Sequence, residues 1–162
     1  MLNYLFQDYD STAAGLRAVL AINKVGKFNF WLRLMFYFYS RNCKIMKLIG
    51  GVCHNHLLKV YSTEISPGCY IGKGAKFPHP LGIVIGAGCE LRENVTVYQN
   101  VTLGKNKNGY PCIEDGTIIY PNCSIIGSIV VSKNTIIGAN SILNKSTESN
   151  SVYAGCPARK IK

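Results

Sequence analysis

Acidic residues are scarce in this chain. Its 162 residues include 18 Lys and Arg against 8 Asp and Glu, a formal net charge of +10, and residues 11 to 60 hold eight basic side chains without one acid. A surplus concentrated near the N-terminus raises nucleic acid, a membrane surface or an acidic substrate as partner classes. No DNA- or RNA-binding signature and no dense basic tract accompanies it, which argues against nucleic acid. Long apolar runs are also lacking. The most apolar stretch, Phe28 to Tyr39, is twelve residues long with Arg33 inside it, too short to cross a bilayer. The opening MLNYLFQDYDS has neither the charged nor the apolar region of a signal peptide, so a cytoplasmic protein is expected. Seven cysteines make no CxxC and no regular pairing, against both a disulfide framework and a zinc knot. No convincing linker divides the chain, and one unit with a helical N-terminal cap is expected.

What the sequence does contain is a period of six. Apolar residues recur at Ile65, Ile71 and Phe77, then at Ile85, Leu91, Val97 and Leu103, then at Ile113, Ile119, Ile125, Val131, Ile137 and Leu143. Two extra residues near His79 to Gly82 and four between Leu103 and Ile113 interrupt the count. Two positions before most of these sits a small or β-branched residue, among them Cys69, Ala75, Cys89, Val95, Thr117, Cys123, Thr135 and Ser141. Three positions after come Gly68, Gly74, Gly88, Asn94, Asn100, Gly116, Asn122, Asn134 and Asn140, with Ser128 the exception. Glycine and asparagine enter positive φ at least cost, so this slot predicts the corner of each short strand. An antiparallel sandwich would alternate with period two and explain neither slot. The pattern reads as a mainly β chain, a hexapeptide parallel β-helix over residues 62–162. Residues 1–61 read as a helical cap, from the spacing of Ala13, Leu16, Val19 and Leu20 and of Trp31, Leu34, Met35 and Phe38, punctuated at Gly26 and at Gly50 and Gly51.

Function on a rigid scaffold gathers where its regularity breaks. The first break, Phe77-Pro78-His79-Pro80-Leu81-Gly82, holds the one histidine of the coil. Such a side chain can take a proton from an alcohol and return it, and a carboxylate such as Glu64, 15 residues earlier, could orient its ring. A structural histidine and a solvated glutamate are the competing readings. A cysteine nucleophile would fall to Cys112, which has no adjacent base in sequence. A metal-dependent hydratase would need a histidine cluster, so no metal is expected.

The ordered series Glu64-Ile65-Ser66-Pro67, Ile71-Gly72-Lys73-Gly74, His79, Gly82-Ile83-Val84-Ile85-Gly86, Tyr98-Gln99-Asn100-Val101-Thr102-Leu103-Gly104 and Ala154-Gly155-Cys156-Pro157-Ala158-Arg159 resembles the catalytic half of bacterial serine acetyltransferases and their relatives in polysaccharide biosynthesis. The resemblance implies a single-stranded left-handed β-helix, a homotrimer with sites between subunits, and acetyl-CoA as acyl donor. It implies His79 as catalytic base paired with Glu64, where the family has aspartate. It implies acceptor binding by Gln99, Asn108 and Tyr110, and cofactor binding by Gly104, Lys105, Ala139, Ala154, Gly155, Arg159 and Lys160. Tyr110 stands where the serine enzymes have a second histidine, and the loop around it is shorter. That departure favours a sugar of a surface polysaccharide precursor as acceptor, with O-acetylation of L-serine as the alternative. A non-catalytic scaffold remains a rival of another class. Peripheral contact between the basic aromatic cap and the inner face of a membrane is a further option.

Overall fold

The computed structural model describes residues 2–8 and 24–162. Among the described residues three helices precede the coil: α1 (Leu2–Leu5), α2 (Lys24–Tyr39) and α3 (Lys44–Tyr61). The spacing of Ala13, Leu16, Val19 and Leu20 lies outside the described residues. Phe28, Leu32 and Met35 recur on one face of α2 and are buried. Phe28 meets Tyr61 and Phe77 edge-on, with centroids 5.1 and 5.2 Å away, so an aromatic plug joins the helices to the coil. The expected punctuation is corrected here. Gly26 lies inside α2 and Gly50 and Gly51 inside α3, while the break falls at residues 40–43. Gly50 serves close packing instead, since a Cβ there would sit 2.9 Å from the Tyr39 ring. Helix α3 ends at Ser62, which adopts φ 49° and returns its N–H to the Leu58 carbonyl.

A buried ion pair also ties the N-terminal segment to the coil. Arg33 donates through Nε and Nη2 to the Asp8 carboxylate at 2.9 and 2.7 Å. Its Nη1 reaches the Ile71 carbonyl at 2.7 Å and its Nη2 the Gly72 carbonyl at 2.6 Å, while Asp8 also accepts from the Gly74 amide.

From Glu64 the chain winds as a left-handed β-helix of about four turns. Fourteen short strands, β1 (Glu64–Ile65) to β14 (Ala158–Lys160), stack into three sheets of order β1-β3-β6-β9-β12, β10-β7-β4-β2 and β14-β13-β11-β8-β5. Here they are named the first, second and third faces of a prism, in the order in which each turn visits them. All pairs are parallel except β13 (Val152–Gly155) with β14. Ile65, Ile85, Leu103, Ile125 and Leu143 align on the first face. The six-residue apolar set points inward and is almost entirely buried. The two interruptions are absorbed at corners, which keeps that column in register.

The predicted small slot is buried throughout, apart from half-buried Ile129. Burial pushes the Cys69 thiol up to about 12 and the Cys89 thiol to about 11, so both act as small apolar groups. The corner slot needs a partial correction. Gly74, Asn94, Asn100, Gly116, Asn122, Asn134 and Asn140 have positive φ, as does Gly82, but Gly68 and Gly88 do not. Both of these sit between the first and second faces, where space decides: a Cβ on Gly88 would lie 2.3 Å from the Tyr110 ring. On the edge between the third and first faces, Asn100, Asn122 and Asn140 bond side chain to side chain at 3.0 Å per step.

Candidate active site

The first interruption lies on that same edge, one rung before Asn100. Its backbone is held at several points. Leu81 N–H donates to the His79 carbonyl at 2.8 Å, Thr63 Oγ1 to the Pro80 carbonyl at 3.3 Å, and Asn100 N–H to the Leu81 carbonyl at 2.9 Å. The two added residues thereby push His79 outward from a fixed base, and its side chain is exposed. Below it runs an aromatic column that the sequence reading missed. The His79 ring is 6.1 Å from that of Tyr98, which stacks on Tyr120 at 5.2 Å and 12°. The signal was available, because Tyr98 and Tyr120 each directly follow an inward residue of the repeat.

Glu64 opens β1 on the adjoining rung, exposed, with its N–H on the Ile83 carbonyl. The Thr63–Pro80 hydrogen bond brings the two segments to one edge. The carboxylate and the imidazole are not hydrogen-bonded, and among the described residues neither side chain makes a hydrogen bond or ion pair. Gln99 lies on the same edge beside Leu81, and its Oε1 is buried without a donor. Ala139 is exposed two rungs further along.

The second interruption lies on a different edge, between β6 (Thr102–Gly104) of the first face and β7 (Cys112–Ile113) of the second. Asn106 and Gly109 exchange backbone hydrogen bonds at 3.1 and 3.3 Å, and Asn106 Oδ1 accepts the Asn108 N–H at 2.8 Å. Tyr110 packs half-buried over Gly86 and Gly88, where side chains would collide with its ring. Lys105 Nζ stands 5.9 Å from that ring. Tyr110 therefore anchors the loop, a role the sequence reading did not foresee.

The segment from Ala154 to Lys160 lies in the β13–β14 hairpin on the third face, with a cis Cys156–Pro157 bond and Gly155 at φ 101°. A Cβ on Gly138 would meet Ala154 at 3.0 Å, so the hairpin sits tightly against the coil near the His79 edge. Lys160 is engaged by Glu148 at 2.5 Å, which raises its pKa, whereas the exposed Arg159 side chain donates, among the described residues, only to its own neighbour's carbonyl. A cavity of ≈ 340 Å³ lies elsewhere, lined by Tyr4, Gln7, Arg33, Tyr70 and Glu93 among others, and includes none of the expected site residues. Among the described residues no three His, Cys, Asp or Glu side chains gather in a metal-binding group.

The expected residues thus divide between two edges of one rigid prism. His79, Glu64, Gln99, Ala139, Ala154 and Gly155 lie on or near one, and Gly104, Lys105, Asn108 and Tyr110 on another.

No protein-family model matches the chain. A serine acetyltransferase of Staphylococcus aureus (strain N315) is 39% identical over 103 residues, which is 61% of this chain and 48% of that protein. The chain spans about half the length of the curated relatives it matches. Among solved structures, a serine acetyltransferase from Brucella abortus strain S19 in complex with coenzyme A superposes with TM-score 0.81 at 25% identity, covering 98% of this chain and 66% of that one. A serine acetyltransferase complex with cysteine gives TM-score 0.80 at 27% identity, covering 90% and 61%. In sequence and in fold, the chain is similar to the serine acetyltransferases, which are hexapeptide-repeat acetyltransferases.

Proposed function

We propose that this chain transfers an acetyl group from acetyl-CoA to a hydroxyl, through residues 62–162 as the acyltransferase domain and 1–61 as its cap. The observation that carries the reading is an exposed imidazole on a corner whose backbone is fixed by hydrogen bonds. His79 removes the acceptor's proton as its oxygen attacks the thioester carbonyl. The carbon–oxygen bond forms, the carbon–sulfur bond breaks, and the imidazolium returns the proton to the departing thiolate. Glu64, one rung away, steadies the imidazolium once bound substrate draws the segments together. Gln99 Oε1, buried without a donor, suits a hydroxyl or N–H arriving on that edge.

Because the two groups of residues occupy separate edges, a neighbouring copy must bring its loop edge against the His79 edge to complete the site. A threefold arrangement of parallel prisms does this for every copy at once. Gly104 and Lys105 of the loop edge, with Ala139, Ala154, Gly155 and Arg159 of the other, would then line one cleft for the coenzyme. Lys160 is committed to Glu148 and contributes least.

The comparisons favour L-serine as the acceptor over the sugar that the loop sequence put first, since the relatives are named serine acetyltransferases. A sugar stays as the second reading on one observation. The column of His79, Tyr98 and Tyr120 lines the same corner with aromatic rings, and the phenolic tips of the two tyrosines can hydrogen-bond the hydroxyls of a sugar. Incubation with acetyl-CoA and L-serine or nucleotide-linked sugars, following thiol release, separates these acceptors. The variant His79→Ala should lose roughly 10²–10⁴ in turnover while retaining acetyl-CoA binding. Near-normal turnover in that variant would eliminate the mechanism.

A further inference from the structure

The aromatic stretch Phe28 to Tyr39, for which membrane contact is one option in the sequence, lies within α2 and turns Phe28, Leu32 and Met35 into the core. A different apolar face is left uncovered. On α3, Gly50, Cys53, Leu57 and Tyr61 face inward, whereas Ile45, Leu48 and Val52 are 68%, 72% and 63% exposed, with Ile49 at 38%. These four stand at i, i+3, i+4 and i+7, the spacing of a helix face that ordinarily packs on something. Around them are Arg41, Lys44 and Lys47, all exposed and without carboxylate partners among the described residues, and Lys59 follows further along the helix. The sequence from 11 to 60 supplies no acid to offset them.

The geometry points to the outer face of α3 as a docking surface for an anionic lipid bilayer. An apolar stripe flanked by lysines lies in the plane of a membrane, with the side chains in the headgroup boundary and the ammonium groups at the phosphates. Charge complementarity selects this occupant over a second copy meeting it face to face, which would bring the same cations against one another. No described helix is long and apolar enough to cross a membrane, so the contact is peripheral. The inference does not depend on the proposed acetyl transfer.

The test is flotation of the purified full chain with vesicles of phosphatidylcholine alone, or with about a third phosphatidylglycerol. Binding is expected only with the anionic vesicles, weakening as salt rises. Neutralising Lys44 or Lys47 as Gln should lower partition about fivefold each. The double change Leu48→Glu with Val52→Glu should abolish flotation while leaving the unfolding temperature nearly unchanged, since both side chains are exposed. If that variant fails to fold, the pair Lys44→Gln with Lys47→Gln decides. Absence of wild-type binding, equal binding to neutral vesicles, or undiminished binding by the variants overturns the assignment. So does a wild-type molecular mass that falls by subunits in the Leu48→Glu/Val52→Glu variant, which would mean that another copy covers this face.

Discussion

Replacing Arg33 with Met tests the tie between the cap and the coil. The Arg33 and Asp8 side chains are each only 2% exposed. Loss of the guanidinium would strand the Asp8 carboxylate in a buried site with the Gly74 amide as its remaining donor among the described residues, and would strip donors from the Ile71 and Gly72 carbonyls. Removing one partner of such a pair costs roughly 3–5 kcal/mol, mostly through the charge left behind. For a chain of this size that corresponds to a fall in Tm of about 6–20 °C. Asp8→Leu, which strands the arginine instead, should be comparably harmful. The double variant should recover much of the loss, because a buried pair replaced by apolar groups is often close to neutral. Thermal and urea unfolding of the four proteins by circular dichroism gives the cycle directly. Single variants within about 1 kcal/mol of wild type, or losses that simply add in the double variant, would refute the reasoning.

Two further outcomes are expected. Asn122→Ala should destabilise by about 1–2 kcal/mol, since alanine must hold φ 62° and the ladder to Asn100 and Asn140 is cut, while Asn122→Gly should cost less; equal losses in chemical denaturation would count against the conformational part. Cys43 is exposed at the open end of α3, where the Met46 and Ile45 amides hold its thiol below the usual value. It should alkylate fastest at and below neutral pH, whereas Cys69 and Cys89 react only after unfolding; mass spectrometry of a pH series checks this, and a Cys43 rate no greater than that of exposed Cys156 would contradict it.

The coil was legible because its code is local. Each inward residue is fixed by the six-residue period, and each interruption shows as a miscount. Gly68 and Gly88 were misread because glycine fills two needs, positive φ and small size, and only the neighbouring Ala87 and Tyr110 reveal which applies. Gly50 misled in the same way, as a contact for Tyr39 inside an unbroken helix. The Arg33–Asp8 pair joins residues 25 positions apart through a third segment, and no period encodes such a meeting. His79 was found because it sits in a break, and the second break was visible too. That the two breaks open on different edges follows from the same count once the prism has three faces, since Phe77 closes a third face and Leu103 a first; what the count does not give is how far each loop stands out from its edge.

The β13–β14 reversal also bears on self-assembly. A coil of parallel rungs presents, at its last strand, the same pattern of donors and acceptors that its next rung would use, and so could template a second molecule. On the third face the chain doubles back, and Ala154 pairs with Arg159 in the opposite sense to every earlier strand. A second prism arriving end-on meets a strand running the wrong way, with the charged side chains of Arg159 and Lys160 on it. Fibre growth along that face is thereby discouraged by one turn of backbone.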